Sequence, residues 1–458
     1  MTVSVVIPQD LTEEIQNAAK LPVETAGVML AAVAEAPNGD IRLLARRIRW
    51  VDEIAYSRRE PHRLDIRSKG YVHALGEAEA LGAACIWIHT HTEDVSPYPS
   101  EYDKILDCEI AELFRLRSGS PYYGTLIFSA YFNELAFTGY LQQEGSTALQ
   151  IERLWQIGKR WRLIRAYNSM IEQLSPIFDR NVRAFGTAVQ QTIGKLSIGI
   201  VGCGGTGSGV AEQLVRLGVR NLTLIDPDIL AESNLTRVYG STVSDVGHPK
   251  VEILKAYLTR VAPDLDCKTI QSKVTVELTA RCLIGCDIVF GCTDDNAGRM
   301  VLSRLSTYLL TPVIDCGIII TSDAFDRIVG IDGRVTTLCP GEACLICRDR
   351  IDLDRASAEL LAPDERERRV KQGYVPALGQ TEPAVVAFTT LVSATAVSEL
   401  LERLIGYGPE PRPSEILLRC HEREISTNVV QPSTGHYCHP TSGKLGIGMT
   451  EPFLERVW

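Results

Sequence analysis

An apolar stretch, a glycine-rich turn and an amphipathic helix follow one another in KLSIGIVGCGGTGSGVAEQLVRLG, residues 195–218. This order predicts a strand, a tight turn and a helix, which together begin a βαβ unit. A second apolar stretch ending in LIDPD comes next, and further strand-like stretches occur at DIVFGCTD and TPVIDCGII. Because βαβ connections join parallel strands, the second half of the chain is predicted to be a Rossmann-like α/β domain with a mainly parallel sheet.

The glycine-rich turn also predicts a ligand. Its glycines let backbone N–H groups at the start of a helix approach phosphates. These glycines are Gly202, Gly204, Gly205 and Gly207. LIDPD supplies Asp226 and Asp228, and Asp226 lies about 20 positions after the turn, where an acidic residue can bind a ribose hydroxyl. From these features alone, NAD would be the expected ligand.

The residues after LIDPD favour a nucleoside triphosphate instead. SNLTRVYG and GHPK supply Asn234, Arg237 and Lys250. Cationic side chains at this position neutralise phosphate charge during nucleotidyl transfer, and an NAD-dependent oxidoreductase does not require them. Asp294, at the end of the predicted strand DIVFGCTDD, is suited to hold Mg²⁺. The sequence therefore predicts ATP and Mg²⁺ as cofactors.

A second constellation lies near the N-terminus, in HTHTEDVSPYPSEYD. On a strand, side chains at positions i and i+2 share a face, so His89 and His91 can be directed at one ion. Asp103 would complete a His, His, carboxylate set with a fourth position open for water, as in catalytic zinc sites. Glu24, in VETAGVML, is placed to move protons. Ser100 followed by Asp103 is also the pattern of a helix capping box, and capping and ligation can coexist.

This N-terminal block, residues 1–145, resembles the JAMM (MPN-plus) metallopeptidases, which have an α/β fold. The resemblance implies that Glu24 is the general acid/base, that His89, His91 and Asp103 bind zinc, and that Ser100 stabilises the oxyanion. Two departures occur in the loop after the histidines. The spacer to Ser100 is one residue longer than usual, and Thr92 replaces a frequent proline.

The block 171–450 resembles the ThiF/MoeB superfamily, which includes the catalytic part of ubiquitin-activating enzymes. The matching stretches are FDRNVRAFG, GCGGTGS, LIDPD, SNLTR, GHPK, CTDD and CLIC. The resemblance implies that ATP adenylates the C-terminus of a ubiquitin-like protein. It assigns Asp226 to the ribose, the cluster of Asn234, Arg237 and Lys250 to the triphosphate, and Asp294 to the metal. Arg180, in FDRNVRAFG, would reach the ATP site of a second subunit, so a homodimer is expected.

Cysteines give a third prediction. Cys344 and Cys347 have the CxxC spacing of half a structural zinc site, and GHYCHPTSG supplies Cys438 with His436 or His439 as the other half. Cys420 is a weaker candidate than Cys438 for the third cysteine ligand. The alternative is that Cys344 and Cys347 are a pair that no longer binds metal. No cysteine occurs between 348 and 419, where ubiquitin-activating enzymes commonly carry their thioester cysteine. Either the reaction ends at the adenylate, or an intermediate forms elsewhere, for example on Cys316, Ser357 or Thr381.

Composition excludes several classes of protein. The 458 residues carry a net charge of −10 with dispersed Lys and Arg, which argues against a large nucleic-acid-binding surface. No apolar run has the roughly 18–20 residues that a membrane span needs, and the N-terminus lacks the pattern of a signal peptide. Unpaired cysteines in apolar strands indicate a reducing, cytoplasmic location. Residues 146–170, between the two blocks, are predicted to form a helical linker, because ERLWQIGKRWRLIRAYNSMIEQL is apolar at helical spacing.

Three functions are compatible with these motifs. The first is a bifunctional enzyme of a ubiquitin-like conjugation pathway, in which a zinc isopeptidase and an adenylating domain act with a conjugating enzyme. The second is an activator of a sulfur-carrier protein in cofactor biosynthesis. The third is a scaffold with inactive sites.

Overall fold

The chain forms two compact units in a computed structural model that describes residues 2–92, 95–131, 134–167, 173–325, 327–372, 378 and 383–458. Unit 1 comprises Met1–Glu172 and Gly446–Thr450, and unit 2 comprises Gln173–Leu445 and Glu451–Trp458. Among the helices built from described residues, none combines the length and the apolar character that crossing a bilayer requires.

In its described residues, unit 1 is a mixed sheet with three α-helices. Its elements are, in chain order, β1 (Val3–Pro8), α1 (Gln9–Ala19), β2 (Thr25–Glu35), β3 (Ile41–Trp50), β4 (Tyr56–Glu60), β5 (Arg63–Ile66), α2 (Val72–Leu81), β6 (Ala84–Thr90), α3 (Glu101–Ser118), β7 (Tyr122–Tyr131), β8 (Glu134–Gln143), β9 (Leu149–Ile157) and β10 (Arg162–Arg165). The strand order is β1-β3-β2-β6-β7-β8-β9-β10, and β1 also pairs with β9, so the sheet closes on itself. β4 and β5 form a separate hairpin.

β6 is covered on both faces, which explains its uninterrupted apolar sequence. Ile86 and Ile88 belong to one buried cluster, and Cys85 and Trp87 belong to another. Every residue of this strand is buried. A strand with no solvent-facing side needs apolar residues at both parities, as ACIWI provides. His89 and Thr90 form the carboxyl end of this strand, so the two apolar clusters hold the base of the predicted metal site in place.

Unit 2 contains the predicted parallel sheet. Its elements are α4 (Asp179–Phe185), α5 (Thr187–Lys195), β11 (Ser197–Val201), α6 (Gly205–Leu217), β12 (Asn221–Ile225), α7 (Lys250–Val261), β13 (Asp266–Ile270), α8 (Glu277–Arg281), β14 (Ile288–Gly291), α9 (Asn296–Tyr308), β15 (Val313–Ser322), β16 (Ile328–Leu338), α10 (Leu353–Leu360), α11 (Pro363–Lys371), α12 (Val386–Ile405), β17 (Glu415–Arg419) and β18 (Glu424–Asn428). The strand order is β13-β12-β11-β14-β15-β16-β17-β18.

The pairings of this sheet confirm the prediction of an α/β, Rossmann-like fold for the second half. β13, β12, β11, β14 and β15 are parallel, and the remaining pairs are antiparallel. The parallel strands bring their carboxyl ends to one edge, where ligands bind in open α/β sheets.

The prediction of a helix over 146–170 is wrong where the structure shows β9 and β10. The buried residues Ile151, Leu154 and Trp155 have a spacing that fits a helix as well as a strand. Two neighbouring strands favour the strand over the helix, because β9 pairs in parallel with β1 and antiparallel with β10. Gly158, with a φ of 149°, ends β9. Residues 168–170 of this segment lie outside the described residues.

Candidate active sites

The glycine-rich turn joins the carboxyl end of β11 to α6, as predicted. Gly202 has a φ of 93°, and a Cβ added there would lie 2.5 Å from the carbonyl oxygen of Cys292. A Cβ on Gly207 would lie 1.8 Å from the carbonyl oxygen of Gly202. Both positions therefore require glycine, one for backbone conformation and one for close packing of helix on strand. The first turn of α6 is thereby brought against the sheet edge.

A cavity of about 620 Å³ lies at this edge. Nearly all the predicted nucleotide-binding residues line it, namely Gly202, Gly204, Gly205, Asp226, Asp228, Asn234, Arg237, Lys250 and Asp294. Gly207 is buried in α6 instead. Backbone N–H groups at the start of a helix and cationic side chains therefore face one space, which suits a polyphosphate.

Asp226 is a buried carboxylate that holds the turn together. One of its oxygens accepts a hydrogen bond from the Cys203 N–H at 2.6 Å, and the other accepts one from the Asp228 N–H at 2.8 Å. Burial raises its pKa, although Lys250 opposes the shift. A carboxylate oxygen can accept more than one hydrogen bond, so Asp226 retains acceptor sites for a ribose hydroxyl.

The cations of the cavity are held by short contacts. Lys250 Nζ lies 2.8 Å from Asp228 Oδ2, and its side chain is only 10% exposed. Arg237 donates to the carbonyl oxygen of Ser233 at 2.8 Å. Asn234 accepts a hydrogen bond from the Ala231 N–H at 3.2 Å, which orders the loop that carries Arg237. Asp294 is exposed and lines the cavity, where its carboxylate is suited to hold a divalent cation.

Sequence reasoning missed two further cations in this wall, Lys273 and Arg299. Lys273 follows β13, and Arg299 lies in the first turn of α9, so both positions are near the carboxyl end of a parallel strand. Arg299 Nε lies 3.5 Å from the buried Asp315 Oδ1. Asp295 caps α9 by accepting a hydrogen bond from the Gly298 N–H at 3.1 Å. The position of these residues after predicted strands was the signal that could have identified them.

Arg180 and the candidate acyl acceptors occupy different places. Arg180 is exposed on α4 and is not among the described residues that line the cavity. Cys316 does line it. Ser357 is exposed on α10, and its hydroxyl donates to the carbonyl oxygen of Leu353 at 2.8 Å. Thr381 lies outside the described residues.

The predicted metal ligands of unit 1 are brought together. His89 Nε2 lies 3.4 Å from Asp103 Oδ1, and His91 Nε2 lies 4.0 Å from Asp103 Oδ2. One donor atom from each of the three residues falls within 4.8 Å of the others. His91 Nδ1 lies 2.7 Å from the carbonyl oxygen of Ser96. That contact places the proton on Nδ1 and leaves the Nε2 lone pair available for a metal.

The donor set fits a zinc ion. Both ring nitrogens of His89 are buried, and neither makes a hydrogen bond with any described residue. Burial lowers the pKa of His89 to about 4, so the imidazole is neutral, as metal ligation requires. Two imidazoles and one carboxylate match the chemistry of catalytic zinc sites.

Ser100 forms the predicted capping box of α3. Its Oγ accepts a hydrogen bond from the Asp103 N–H at 3.2 Å, and both its own N–H and its hydroxyl donate to Asp103 Oδ2. Asp103 Oδ1 takes no part in these bonds and is the oxygen nearer His89. Because the Ser100 hydroxyl is bonded to Asp103, its role at an oxyanion stays a prediction.

Glu24 lines the same cavity, of about 260 Å³, as the three ligands. It directly precedes β2, whose residues Thr25 and Ala26 pair with Thr90 and His89 of β6. Burial, with a smaller contribution from the charge of Asp103, raises the Glu24 pKa to about 8. A carboxyl group with a pKa near neutrality is suited to both take up and release a proton.

The third predicted site also assembles. Cys344, Cys347, His436 and Cys438 place their donor atoms within 4.8 Å of one another. A hydrogen bond from Cys438 lowers the pKa of the Cys344 thiol to about 5. His439, the alternative ligand, instead accepts a hydrogen bond from the Thr441 N–H at 3.2 Å. Three thiols and one imidazole around one point match a structural zinc site.

The sequence profile of the ThiF family matches residues 178–438, which is 261 of 458 residues. The sulfur carrier protein ThiS adenylyltransferase of Escherichia coli K12 is 31% identical over 160 residues, which cover 34% of this chain and 60% of that protein. The SAMP-activating enzyme E1 of Haloferax volcanii is 27% identical over 148 residues, 32% of this chain and 51% of that protein. The chain thus matches less than two thirds of the length of these relatives.

Solved structures include the E. coli MccB complex with ATP, with a TM-score of 0.45 and 17% identity over 58% of this chain and 75% of that one. The profile match covers more than half of the chain, including the glycine-rich turn, the nucleotide cavity and the cysteine cluster. The chain therefore belongs to the ThiF family.

Proposed function

We propose that unit 2 uses ATP and Mg²⁺ to adenylate the C-terminal glycine of a ubiquitin-like protein. The observation that carries this proposal is the cavity of about 620 Å³ in which the start of α6, Arg237, Lys250 and Asp294 face one another. Similarity to an adenylyltransferase of a sulfur carrier and to an E1 enzyme supports the same reaction class.

In this reaction a C-terminal carboxylate oxygen bonds to the α-phosphorus of ATP, and the bond from that phosphorus to the bridging oxygen breaks. Pyrophosphate leaves with the electron pair, and the acyl-adenylate remains. Lys250 and Arg237 neutralise charge on the phosphates, and Asp226 orients the ribose. Asp294 would hold Mg²⁺, which would further neutralise charge on the leaving group.

The test is pyrophosphate release by the full chain with ATP, Mg²⁺ and a ubiquitin-like protein ending in Gly-Gly. Lys250→Ala should lower the rate by about 10²-fold or more, because it removes a charge that acts on the transferring phosphates. Lys268→Ala is the matched control, since Lys268 is exposed on β13 and lies outside the residues that line the cavity. Absence of pyrophosphate release with any such partner would contradict the proposal.

For unit 1 we propose a zinc-dependent isopeptidase of the JAMM type. It is supported by the grouping of His89, His91 and Asp103 within 4.8 Å and by the raised pKa of Glu24 in the same cavity. Zinc held by these three residues would make a water molecule acidic enough to supply hydroxide near neutral pH. Glu24 would take up a proton in the cavity and pass it to the leaving amine.

The test combines metal content with cleavage of a ubiquitin-like protein that carries a C-terminal extension. Purified full chain should contain two zinc ions, one for each donor cluster, and His89→Ala should contain one. Glu24→Gln should keep both ions and lose cleavage by at least about 10²-fold, because the proton acceptor is gone. Cleavage that is unaffected by Glu24→Gln would contradict the proposal.

The two activities fit one pathway, because removal of a tail exposes the carboxylate that adenylation uses. The proposed partners are a ubiquitin-like protein, a conjugating enzyme and a second copy of this chain, in the cytoplasm. A sulfur-carrier protein is the alternative substrate, favoured by the ThiS-activating relative. A neighbouring gene for a conjugating enzyme would support conjugation, and a neighbouring sulfurtransferase gene would support sulfur carriage.

The remaining alternative is a scaffold with inactive sites. A zinc content below one ion per chain, together with the absence of both activities, would support the scaffold. The zinc donor set of unit 1 and the nucleotide cavity of unit 2 argue for the enzymatic functions.

A further inference from the structure

The β4–β5 hairpin lies beside the candidate metal site of unit 1. Its strands pair only with each other in the sheets formed by described residues. His62, Arg63 and Leu64, at and after its tip, line the same cavity as Glu24 and the three metal ligands. The hairpin therefore forms part of the wall that a substrate would meet.

One side chain of this hairpin, Arg59, binds the main chain at Glu24. Arg59 Nε donates to the carbonyl oxygen of Glu24 at 3.0 Å, and Arg59 Nη2 donates to Thr25 Oγ1 at 2.7 Å. The Glu24 N–H in turn donates to the carbonyl oxygen of Glu60 at 3.3 Å. Both backbone polar groups of Glu24 are thus bonded to the hairpin.

The guanidinium is itself fixed in place. Its carbon lies 4.9 Å from the centre of the Tyr56 ring, and its third nitrogen pairs with Glu53. The Tyr56 hydroxyl accepts a hydrogen bond from the Ala26 N–H at 3.0 Å. The side chain of Arg59 is only 18% exposed. It ties the hairpin to Glu24 and Thr25, and Tyr56 ties it to Ala26.

We propose that Arg59 is a positioning residue for Glu24. Glu24 precedes β2, so the β2–β6 pairing, which begins at Thr25 and Thr90, does not include it. Its main chain is held instead by Arg59 and Glu60. A catalytic carboxylate must be held within about 0.5 Å of its working position, and a planar guanidinium with two fixed donors provides such a restraint. The inference rests on the proposed isopeptidase function of unit 1.

The test compares Arg59→Ala, Arg59→Lys and Arg58→Ala in the full chain with zinc bound. Arg58 is the matched control, because it is the neighbouring arginine, is 44% exposed, and pairs with Glu60 at the surface. Measurements are kcat and KM for cleavage of a ubiquitin-like protein with a C-terminal extension, zinc per chain, and hydrogen exchange of the Glu24 and Thr25 amides.

Arg59→Ala is expected to lower kcat by about 10- to 100-fold with KM changed less than about twofold, and to leave the zinc content unchanged. Exchange at Glu24 should become faster. Arg59→Lys should recover part of kcat, since one nitrogen that can donate remains. Arg58→Ala should match the wild type in every measurement.

Wild-type kcat in Arg59→Ala, or loss of zinc from it, would overturn the positioning role. If the wild-type chain cleaves nothing, the isopeptidase proposal fails by itself. Hydrogen exchange then decides the inference: unchanged exchange at Glu24 in Arg59→Ala overturns it, and faster exchange in Arg59→Ala but not in Arg58→Ala upholds it.

Discussion

At the level of single residues, Asp103 shows how one carboxylate can serve two neighbours. Its Oδ2 is bound by the backbone and hydroxyl of Ser100, and its Oδ1 lies 3.4 Å from His89. The helix cap therefore leaves Oδ1 directed at His89, while Oδ2 lies 4.0 Å from His91 Nε2. The sequence predicts that capping and metal ligation can coexist at Asp103. In the structure the two are geometrically compatible.

Glu24 gives a pH-dependent prediction for the metal-free protein. Its pKa is about 8 in the fold and 4.5 in an unfolded chain. The folded state therefore retains a proton that the unfolded state releases, so this contribution to stability is present below pH 4.5 and is lost as the pH rises through 8. Glu24→Gln should raise Tm in the presence of chelator, and the increase should be larger at pH 9 than at pH 5.

The control for that experiment is Glu144→Gln, which removes an exposed negative charge from the same unit. Its effect on Tm should be small at both pH values. An increase for Glu24→Gln that is equal at pH 5 and pH 9 would show that the Glu24 carboxyl is not held in a desolvating environment.

At the level of elements, sequence patterns predicted helices and strands correctly where the residues that determine the element lie within one segment. The β11–turn–α6 unit and the capped start of α3 occur where the sequence predicts them, because their apolar periodicity and caps are local. β9 was mistaken for a helix, since its buried residues satisfy both spacings and the choice depends on β1, about 150 residues earlier.

The cap of α3 leads to a prediction about that helix. Ser100→Ala removes an acceptor for the Asp103 N–H and a donor to Asp103 Oδ2. A lost N-cap costs about 1 kcal/mol, so amides in the first turn of α3 should exchange about fivefold faster. Hydrogen exchange measured by mass spectrometry would detect this, with the exposed Ser146→Ala as control. Equal exchange in both variants would mean that the cap contributes nothing.

The cysteine cluster leads to a prediction about the zinc content and stability of unit 2. Cys347→Ser removes one of four donors that lie within 4.8 Å of one another. The variant should lose one zinc ion per chain and melt at least about 5 °C lower, because metal binding stabilises the folded state. Cys420→Ser is the control, since Cys420 is not one of the four donors. Unchanged zinc content and Tm in Cys347→Ser would mean that the cluster binds no metal.

At the level of the whole molecule, the two units carry separate donor sets and separate cavities. Arg180 is exposed and distinct from the described residues that line the nucleotide cavity of its own chain. This arrangement is compatible with the homodimer that the FDRNVRAFG stretch predicts, in which Arg180 serves the site of a second copy.

Mixing inactive variants tests that prediction. Arg180→Ala and Lys250→Ala should each be inactive in pyrophosphate release. If the sites are shared, a mixed dimer contains one site with both residues intact, so an equal mixture should recover about a quarter of wild-type activity. The control mixture combines Lys250→Ala with Asp294→Ala, two residues of one cavity. Equal recovery in the two mixtures, or none in either, would contradict a role for Arg180 in a partner's site.

The sequence alone determined the features that depend on neighbouring residues. Alternation on a strand directs His89 and His91 to one face, and the backbone conformation and packing of a tight turn demand Gly202 and Gly207. Tertiary structure decided what depends on long-range pairing. It brought Glu24 into one cavity with His89 and His91, selected His436 over His439 for the cysteine cluster, and placed Lys273 and Arg299 in the nucleotide cavity. Strand pairing and packing between distant segments fix these positions, and no local spacing encodes them.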